Sequence, residues 1–306
     1  VNSGTAALNI AVSLLDVKDK EVIIPSLSFI STANCILMNG GKPVFADINP
    51  DTLCIDPETI AKLITKNTKA VIPVHFGGMP CNIEKILDVA DKYGIKVIED
   101  AAHAAGASYN KNKIGSHGFA VCFSFHPVKN LAMPTGGLIA INDKNHKKIR
   151  DSIQAKRWCG IENRNDDSYE INELGDNYYM NEFSAVIGIE QLKKLNKMNS
   201  IRRKIAKQYF SEIEIERKMS FEKECSYHLY WICVKNREYF RKKLYENGIQ
   251  TGTHYKPIHT FSLYQDHTRL PCTEIVGKQI VTIPMHPNIT EEQIDKIISL
   301  TNKFAK

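Results

Sequence analysis

VIEDAAHAAGASY (97–109), a polar turn, and then FAVCFSFHPVKNLAMPTGG (119–137) form the stretch on which the reading of the whole chain rests. Val97 and Ile98 end an apolar run that stops abruptly at Glu99-Asp100, as a buried strand does when it reaches the rim of a sheet. Open α/β sheets place their ligands at the carboxyl ends of central strands, so Asp100 stands where a functional carboxylate belongs. Phe119–Phe125 reads as a second apolar strand, followed by His126-Pro127-Val128-Lys129. Lys129 is then a lone amine just past a buried strand, within reach of the same rim. One carboxylate and one amine on neighbouring strand ends suit pyridoxal phosphate, whose aldehyde needs a lysine and whose ring nitrogen needs an acid partner.

Outward from this core, the chain alternates strand and helix patterns. Expected strands are Glu21–Pro25, Pro43–Asp47 and Lys69–Val74; between them stand a helix that Ser28-Phe29 opens and that runs through Ile30–Met38, and helices at Pro57–Ile64 and Ile83–Tyr93. Such alternation predicts βαβ units and a mostly parallel sheet. Asn2-Ser3-Gly4-Thr5 precedes the helical run AALNIAVSLL, and small hydroxyl residues before such a run signal a helix N-cap. The free N–H groups of that helix end suit a phosphate, which makes Gly4, Thr5 and Ala6 the expected cradle. Further on, Leu138–Asn142 reads as a strand, Asn145–Lys156 and Asn181–Leu195 as helices, Tyr227–Val234 as an alternating strand, and Arg237–Asn247 and Thr273–Ile283 as helices. Thr290-Glu291-Glu292-Gln293 is a capping-box start for a last helix.

EDAAHA followed by FSFHPVKN, with 129 − 100 = 29 positions from the aspartate to the lysine, resembles the DegT/DnrJ/EryC1/StrS group of pyridoxal phosphate enzymes. SGTAAL (3–8), PSLSF (25–29), PVFADI (43–48), PVHFGG (73–78), NYYMNE (177–182), HYKPIH (254–259) and IPMHP (283–287) continue the resemblance in order along nearly the whole chain. The resemblance implies fold type I: a large cofactor-binding α/β domain, here 1–198, and a smaller C-terminal α+β domain, 199–306. It implies a Schiff base between the cofactor and Lys129, an Asp100 partner for the ring nitrogen, Phe29 stacked on the ring, His103 at the ring hydroxyl and Ser124 at the phosphate. Asn177 would reach the neighbouring subunit's cofactor, which implies a homodimer. Arg157, His254, Tyr255 and His259 would face the substrate.

The implied reaction is transfer of an amino group from L-glutamate to a nucleotide-linked keto-deoxysugar, with a 4-keto-6-deoxyhexose preferred, for surface polysaccharide or glycoconjugate synthesis. A 3-keto-sugar aminotransferase and a sugar dehydratase are the alternatives within the group. Dehydratases replace the lysine by histidine, which Lys129 argues against. A non-catalytic binding module would dispense with Lys129 or Asp100, and both are present. Two departures bear on substrate contacts: Met133-Pro134-Thr135-Gly136-Gly137 stands where many members have Gly-Glu-Gly-Gly, and Tyr179 replaces a frequent arginine. The motif at Ser3-Gly4-Thr5 opens the chain, where members usually carry a few dozen earlier residues, so an N-terminally trimmed chain is expected.

Composition narrows the rest. A length of 306 residues allows a large core, and the net charge of +6 is dispersed rather than gathered in an arm. The basic run KKLNKMNSIRRK (193–204) marks the expected exit toward the small domain, around residues 195–205; its apolar residues at helical spacing predict a solvated helix face and no nucleic-acid stripe. No apolar run approaches a membrane span, and no signal peptide opens the sequence. The eight cysteines lack metal-type spacing, so reduced buried thiols are expected at Cys35, Cys54, Cys81 and Cys122, in a cytoplasmic protein. No metal site is expected; the Asp47, Asp51 and Asp56 cluster reads as turn and cap residues.

Overall fold

In the computed structural model, residues 1–264 and 268–305 are described. The chain runs α1 (Gly4–Ser13), β1 (Glu21–Pro25), α2 (Ser31–Met38), β2 (Lys42–Ala46), α3 (Pro57–Leu63), β3 (Thr68–Val71), α4 (Ile83–Tyr93) and β4 (Lys96–Asp100). A two-residue hairpin pair, β5 (Ser108–Tyr109) and β6 (Asn112–Lys113), then leads to β7 (Ala120–Ser124), β8 (Gly137–Ile141) and α5 (His146–Arg157). After the short ribbon β9 (Ile161–Glu162) and β10 (Glu170–Ile171) comes the long helix α6 (Glu182–Glu212). The chain closes with β11 (Tyr230–Cys233), α7 (Arg237–Glu246), α8 (Pro271–Gln279), β12 (Ile280–Ile283) and α9 (Glu291–Phe304).

The main sheet has the order β2-β1-β3-β4-β7-β8. All its pairings are parallel except β7 with β8, which run antiparallel. Strand order reverses beside β1, and a crevice outside the carboxyl ends of the strands is the outcome that such a reversal produces. Val22–Pro25 and Val97–Asp100 are buried throughout, as strands covered on both faces must be. One apolar core continues from beneath this sheet (Ile23, Val71, Ile86, Val97) into the C-terminal layer (Tyr230, Trp231, Val281, Ile297).

Most expected elements stand within a residue or two of their sequence positions, but several differ. The helix expected to open at Ser28-Phe29 starts at Ser31, leaving both earlier residues in the loop. Helix α6 runs 31 residues, through the expected exit near 195–205 and across the expected boundary after residue 198. Thr273–Ile283 divides into α8 and β12, because its last four residues pair with β11. Tyr230–Cys233 is buried on both faces rather than alternating. The charged run on α6 is not wholly a solvated face: Arg202 is buried, and its Nη1 donates to the carbonyls of Met285 at 2.6 Å and Tyr227 at 3.3 Å.

Cys35, Cys54, Cys81 and Cys122 are buried free thiols. Asp56 caps α3 by accepting the Glu58 N–H at 3.0 Å, while Asp47 reaches across the fold to accept the N–H groups of Cys272 and Thr273 at the start of α8. Thr290 and Gln293 form the expected capping box. No helix among the described residues is long and apolar enough to cross a membrane.

Candidate active site

The ends of β1, β4 and β7 and the start of α1 converge on a cleft of about 340 Å³. Asp100, the last residue of β4, forms part of its wall and is buried. Its Oδ2 accepts a hydrogen bond from Thr32 Oγ1 at 2.8 Å, and its Oδ1 accepts from the Ala102 N–H at 3.1 Å. Because Thr32 spends its only proton on the carboxylate, the Ser28 hydroxyl 2.8 Å away must donate to Thr32. Burial pushes the Asp100 carboxyl above its ordinary range; the Thr32 and Ala102 hydrogen bonds and the nearby Lys129 oppose that rise. The carboxylate is thus held in one orientation and poised to share a proton with a basic nitrogen.

Lys129 lies on the loop after β7, with its side chain lining the cleft. Among the described residues its amine has no hydrogen bond or ion pair, and desolvation pushes it down to about 8, with Asp100 working against the shift. A lysine brought down that far has a much larger neutral fraction near neutral pH than an ordinary lysine, which makes it a usable nucleophile and base.

His103 completes the floor. Its Nδ1 accepts the Gly77 N–H at 3.2 Å, so the proton of the neutral ring sits on Nε2, 3.1 Å from the Tyr255 hydroxyl. Burial, then Lys129, His228 and His254, hold this imidazole well below its usual range, which keeps it neutral. His228 packs against it at 4.5 Å between ring centroids. Phe29 and Tyr255 stand 5.9 Å apart at the mouth, Phe29 being half exposed, 54%.

Opposite them, Ser3 caps α1 by accepting the Ala6 N–H at 3.1 Å, while the first-turn amides of Gly4 and Thr5 have no acceptor within the helix. Gly4 packs so closely on β7 that a Cβ there would lie 2.6 Å from the Ser124 Cβ. Gly4, Thr5 and Ser124 therefore share one corner of the cleft, with Thr5 Oγ1 and Ser31 Oγ in hydrogen-bond contact at 2.7 Å. A helix start, two small hydroxyl residues and a glycine forming a tight corner fit a phosphate; the free amine and the oriented carboxylate fit the pyridine aldehyde.

Nine expected residues come together here: Gly4, Thr5, Phe29, Asp100, His103, Ser124, Lys129 and, on the far wall, Tyr255 with His254 beside it. Four do not line the cleft. The Ala6 amide is used by Ser3. His259 is buried behind β1, where its N–H and Nδ1 both meet Ser26 Oγ, at 3.1 and 2.6 Å, so it anchors a loop instead of facing substrate. Arg157 is exposed at the end of α5, its carbonyl accepting the Tyr178 N–H at 2.9 Å. Asn177 is exposed near the chain start, its carbonyl accepting from Asn2 Nδ2 at 3.1 Å. Thr32, Ser28 and His228 were not anticipated; Ser28 sat in a quoted motif, but nothing local marks Thr32 or His228 as neighbours of Asp100 or His103. Among the described residues no group of three or more histidine, cysteine or acidic side chains is arranged to hold a metal.

Fold and cleft together define a lysine-dependent pyridoxal phosphate transaminase of fold type I. A family model for the DegT/DnrJ/EryC1/StrS aminotransferase family matches residues 1–301, and the chain belongs to that family. Among solved structures it is similar to Helicobacter pylori PseC, described as an aminotransferase involved in the biosynthesis of pseudoaminic acid, at 28% identity and a TM-score of 0.92, over 99% of this chain and 85% of that one. It is also similar to the sugar aminotransferase Spr1654 of Streptococcus pneumoniae, solved in a pyridoxamine-phosphate (PMP) form, at 26% identity, TM-score 0.94, and the same coverage. DesV of S. venezuelae aligns at 28% identity and TM-score 0.92, over 100% of this chain and 84% of that one.

Proposed function

We propose that the chain moves an amino group from L-glutamate to a nucleotide-linked keto-deoxysugar, a 4-keto-6-deoxyhexose by preference, in building a surface polysaccharide or glycoconjugate. The observation that carries this reading is the unpaired amine of Lys129 facing the oriented carboxylate of Asp100 in one cleft. Bound there, pyridoxal phosphate supplies an electron sink that stabilises negative charge on a carbon attached to nitrogen.

The residues of the chain do the rest. The Gly4 and Thr5 amides with Ser124 hold the phosphate end, and Phe29 covers one face of the ring. Asp100 keeps the proton on the ring nitrogen, and Thr32 and Ala102 keep Asp100 from turning away. His103, fixed as the Nε2–H tautomer, donates toward the ring hydroxyl in place of, or alongside, Tyr255. Lys129 would serve as the base for the proton on the α-carbon of the amino donor and then, as its ammonium, as the acid that gives that proton back to the cofactor's C4′ carbon. For the keto-sugar the same transfers run in reverse. His254 and Tyr255 stand where the acceptor enters.

Helix α6 supports a homodimer. Its N-terminal half turns only the narrow stripe of Ser184, Gly188 and Leu195 inward, while Phe183, Val186, Ile187, Ile189 and Leu192 are exposed. An apolar surface of that extent marks an association site, and a second copy of the chain is the partner proposed here, with Asn177 at its edge reaching the other subunit's cofactor.

The test is an absorbance spectrum with pyridoxal phosphate, before and after L-glutamate, for the wild type and Lys129→Ala. The expected result is a visible band in the wild type that glutamate converts to the pyridoxamine form, and no such band in the variant. A wild type without the band would overturn the reading.

A further inference from the structure

One buried pair of titratable groups is left unused by this chemistry. His75 and Glu99 are both fully excluded from solvent, and His75 Nε2 lies 2.8 Å from Glu99 Oε2. His75 Nδ1 accepts the Cys81 N–H at 3.0 Å, which fixes the neutral tautomer with its proton on Nε2, donated to Glu99. Successive residues of a strand point to opposite faces, so this pair occupies the side of β4 away from Asp100.

Its route to the cleft is the backbone of residues 73–81. The His75 N–H donates to the Asp100 carbonyl at 3.1 Å, and the Asp100 N–H donates to the Pro73 carbonyl at 2.8 Å. Two residues further on, the Gly77 N–H is the group that sets the His103 tautomer. The Gly77 carbonyl accepts the His228 N–H at 2.8 Å, placing the ring that packs on His103. Thus one strap touches Asp100, His103 and His228, and an imidazole bonded at both nitrogens ties it down from behind, beside the Ser226 N–H on the Gly78 carbonyl and the Cys54 thiol on the Met79 carbonyl. A buried histidine–carboxylate pair is costly to desolvate, and Glu99 Oε1 has no partner among the described residues. An apolar pair would fill the same space more cheaply, without fixing the strap's position.

We propose that His75, oriented by Glu99, is a positioning residue for the cofactor site: it holds the 73–81 strap so that Asp100 and His103 keep the orientation that the ring requires. The inference rests on the functional reading above and goes beyond it in assigning the paired side chains behind the sheet a part in cofactor binding.

The experiment compares wild type, His75→Leu, His75→Gln and Glu99→Gln by equilibrium dialysis of pyridoxal phosphate and by pH titration of the lysine-bound visible band. His75→Leu and Glu99→Gln are expected to weaken cofactor binding by roughly tenfold or more, the scale of one lost buried hydrogen bond. They are also expected to raise the band's midpoint by roughly half a pH unit, because a misplaced Asp100 holds less positive charge on the ring. His75→Gln, which keeps a donor for Glu99, should recover part of both. Cooperatively unfolding variants with wild-type affinity and midpoint, whatever their loss of thermal stability, would overturn the proposal. Should His75→Leu not fold, the nearly isosteric Glu99→Gln decides by the same two readings. A missing band in the wild type would bring down the functional reading and this inference with it; a normal wild-type band with unmoved variants would bring down this inference alone.

Discussion

In the proposed reaction Lys129 and Asp100 form a pair whose surroundings push them in useful directions. Desolvation brings the lysine down to about 8. The rate at which the cofactor-free protein captures pyridoxal phosphate should therefore rise with pH and level off just above 8 in stopped-flow absorbance. A rise that continued toward 10.5, the ordinary lysine value, would contradict that environment. Asp100→Asn keeps the shape of the side chain and one acceptor oxygen, for the Ala102 N–H, while Thr32 must turn to accept from the new amide; it removes the charge that would hold the ring-nitrogen proton. It should still bind cofactor while losing roughly a hundredfold or more in the glutamate half-reaction, measured by single-turnover spectroscopy. Both residues were legible in the sequence because each ends or follows an apolar run at a strand end. Arg157 and His259 were carried by resemblance alone, and the structure puts the first on the surface and the second against Ser26.

The contact between α1 and β7 is the tightest part of the site at the level of elements. Gly4→Ala would place a methyl group 2.6 Å from the Ser124 Cβ and 3.1 Å from its Cα, atoms with no rotamer by which to yield. The variant should lose about 1–3 kcal/mol of stability in denaturant unfolding and bind pyridoxal phosphate more weakly. The cap itself was readable in Ser3-Gly4-Thr5, but the need for glycine was not, since Ser124 is 120 positions away. Nonlocal pairing hid β12 in the same way. Val276, Ile280, Val281 and Ile283 suit a helix stripe, and only the register of Tyr230 with Ile283 turns the last four residues into a strand. The full length of α6 was missed for a related reason: its charged middle looked like an exit, yet Asn199 and Arg202 are buried there with carbonyl partners.

Across the whole molecule, buried neutral histidines make stability depend on pH. Burial is the leading cause that holds His103 and His228 well below the ordinary 6.5, and it lowers His254 and His286 as well. These groups take up protons more readily in the unfolded chain, so the stability they allow is present above about 6.5 and is lost as pH falls below it. Thermal unfolding should show a falling midpoint between neutral and mildly acid buffer, and His103→Gln should flatten that slope. Assembly is the other property at this scale. Ile189→Glu puts a charge into the exposed apolar side of α6 and should convert the proposed dimer to monomer in sedimentation velocity, without unfolding the subunit.

Helix α6 has a second side. Gly188 lies so near Met133 that a Cβ would sit 2.7 Å from its sulfur, and Asn199 accepts from Asn130, the residue after Lys129, at 2.9 Å. The loop bearing the proposed reactive amine thus leans on the same rod whose opposite side is the proposed seat of a second copy. Dilution should then do more than separate subunits: turnover per molecule would fall as the protein is thinned, and concentrating it again would restore the rate.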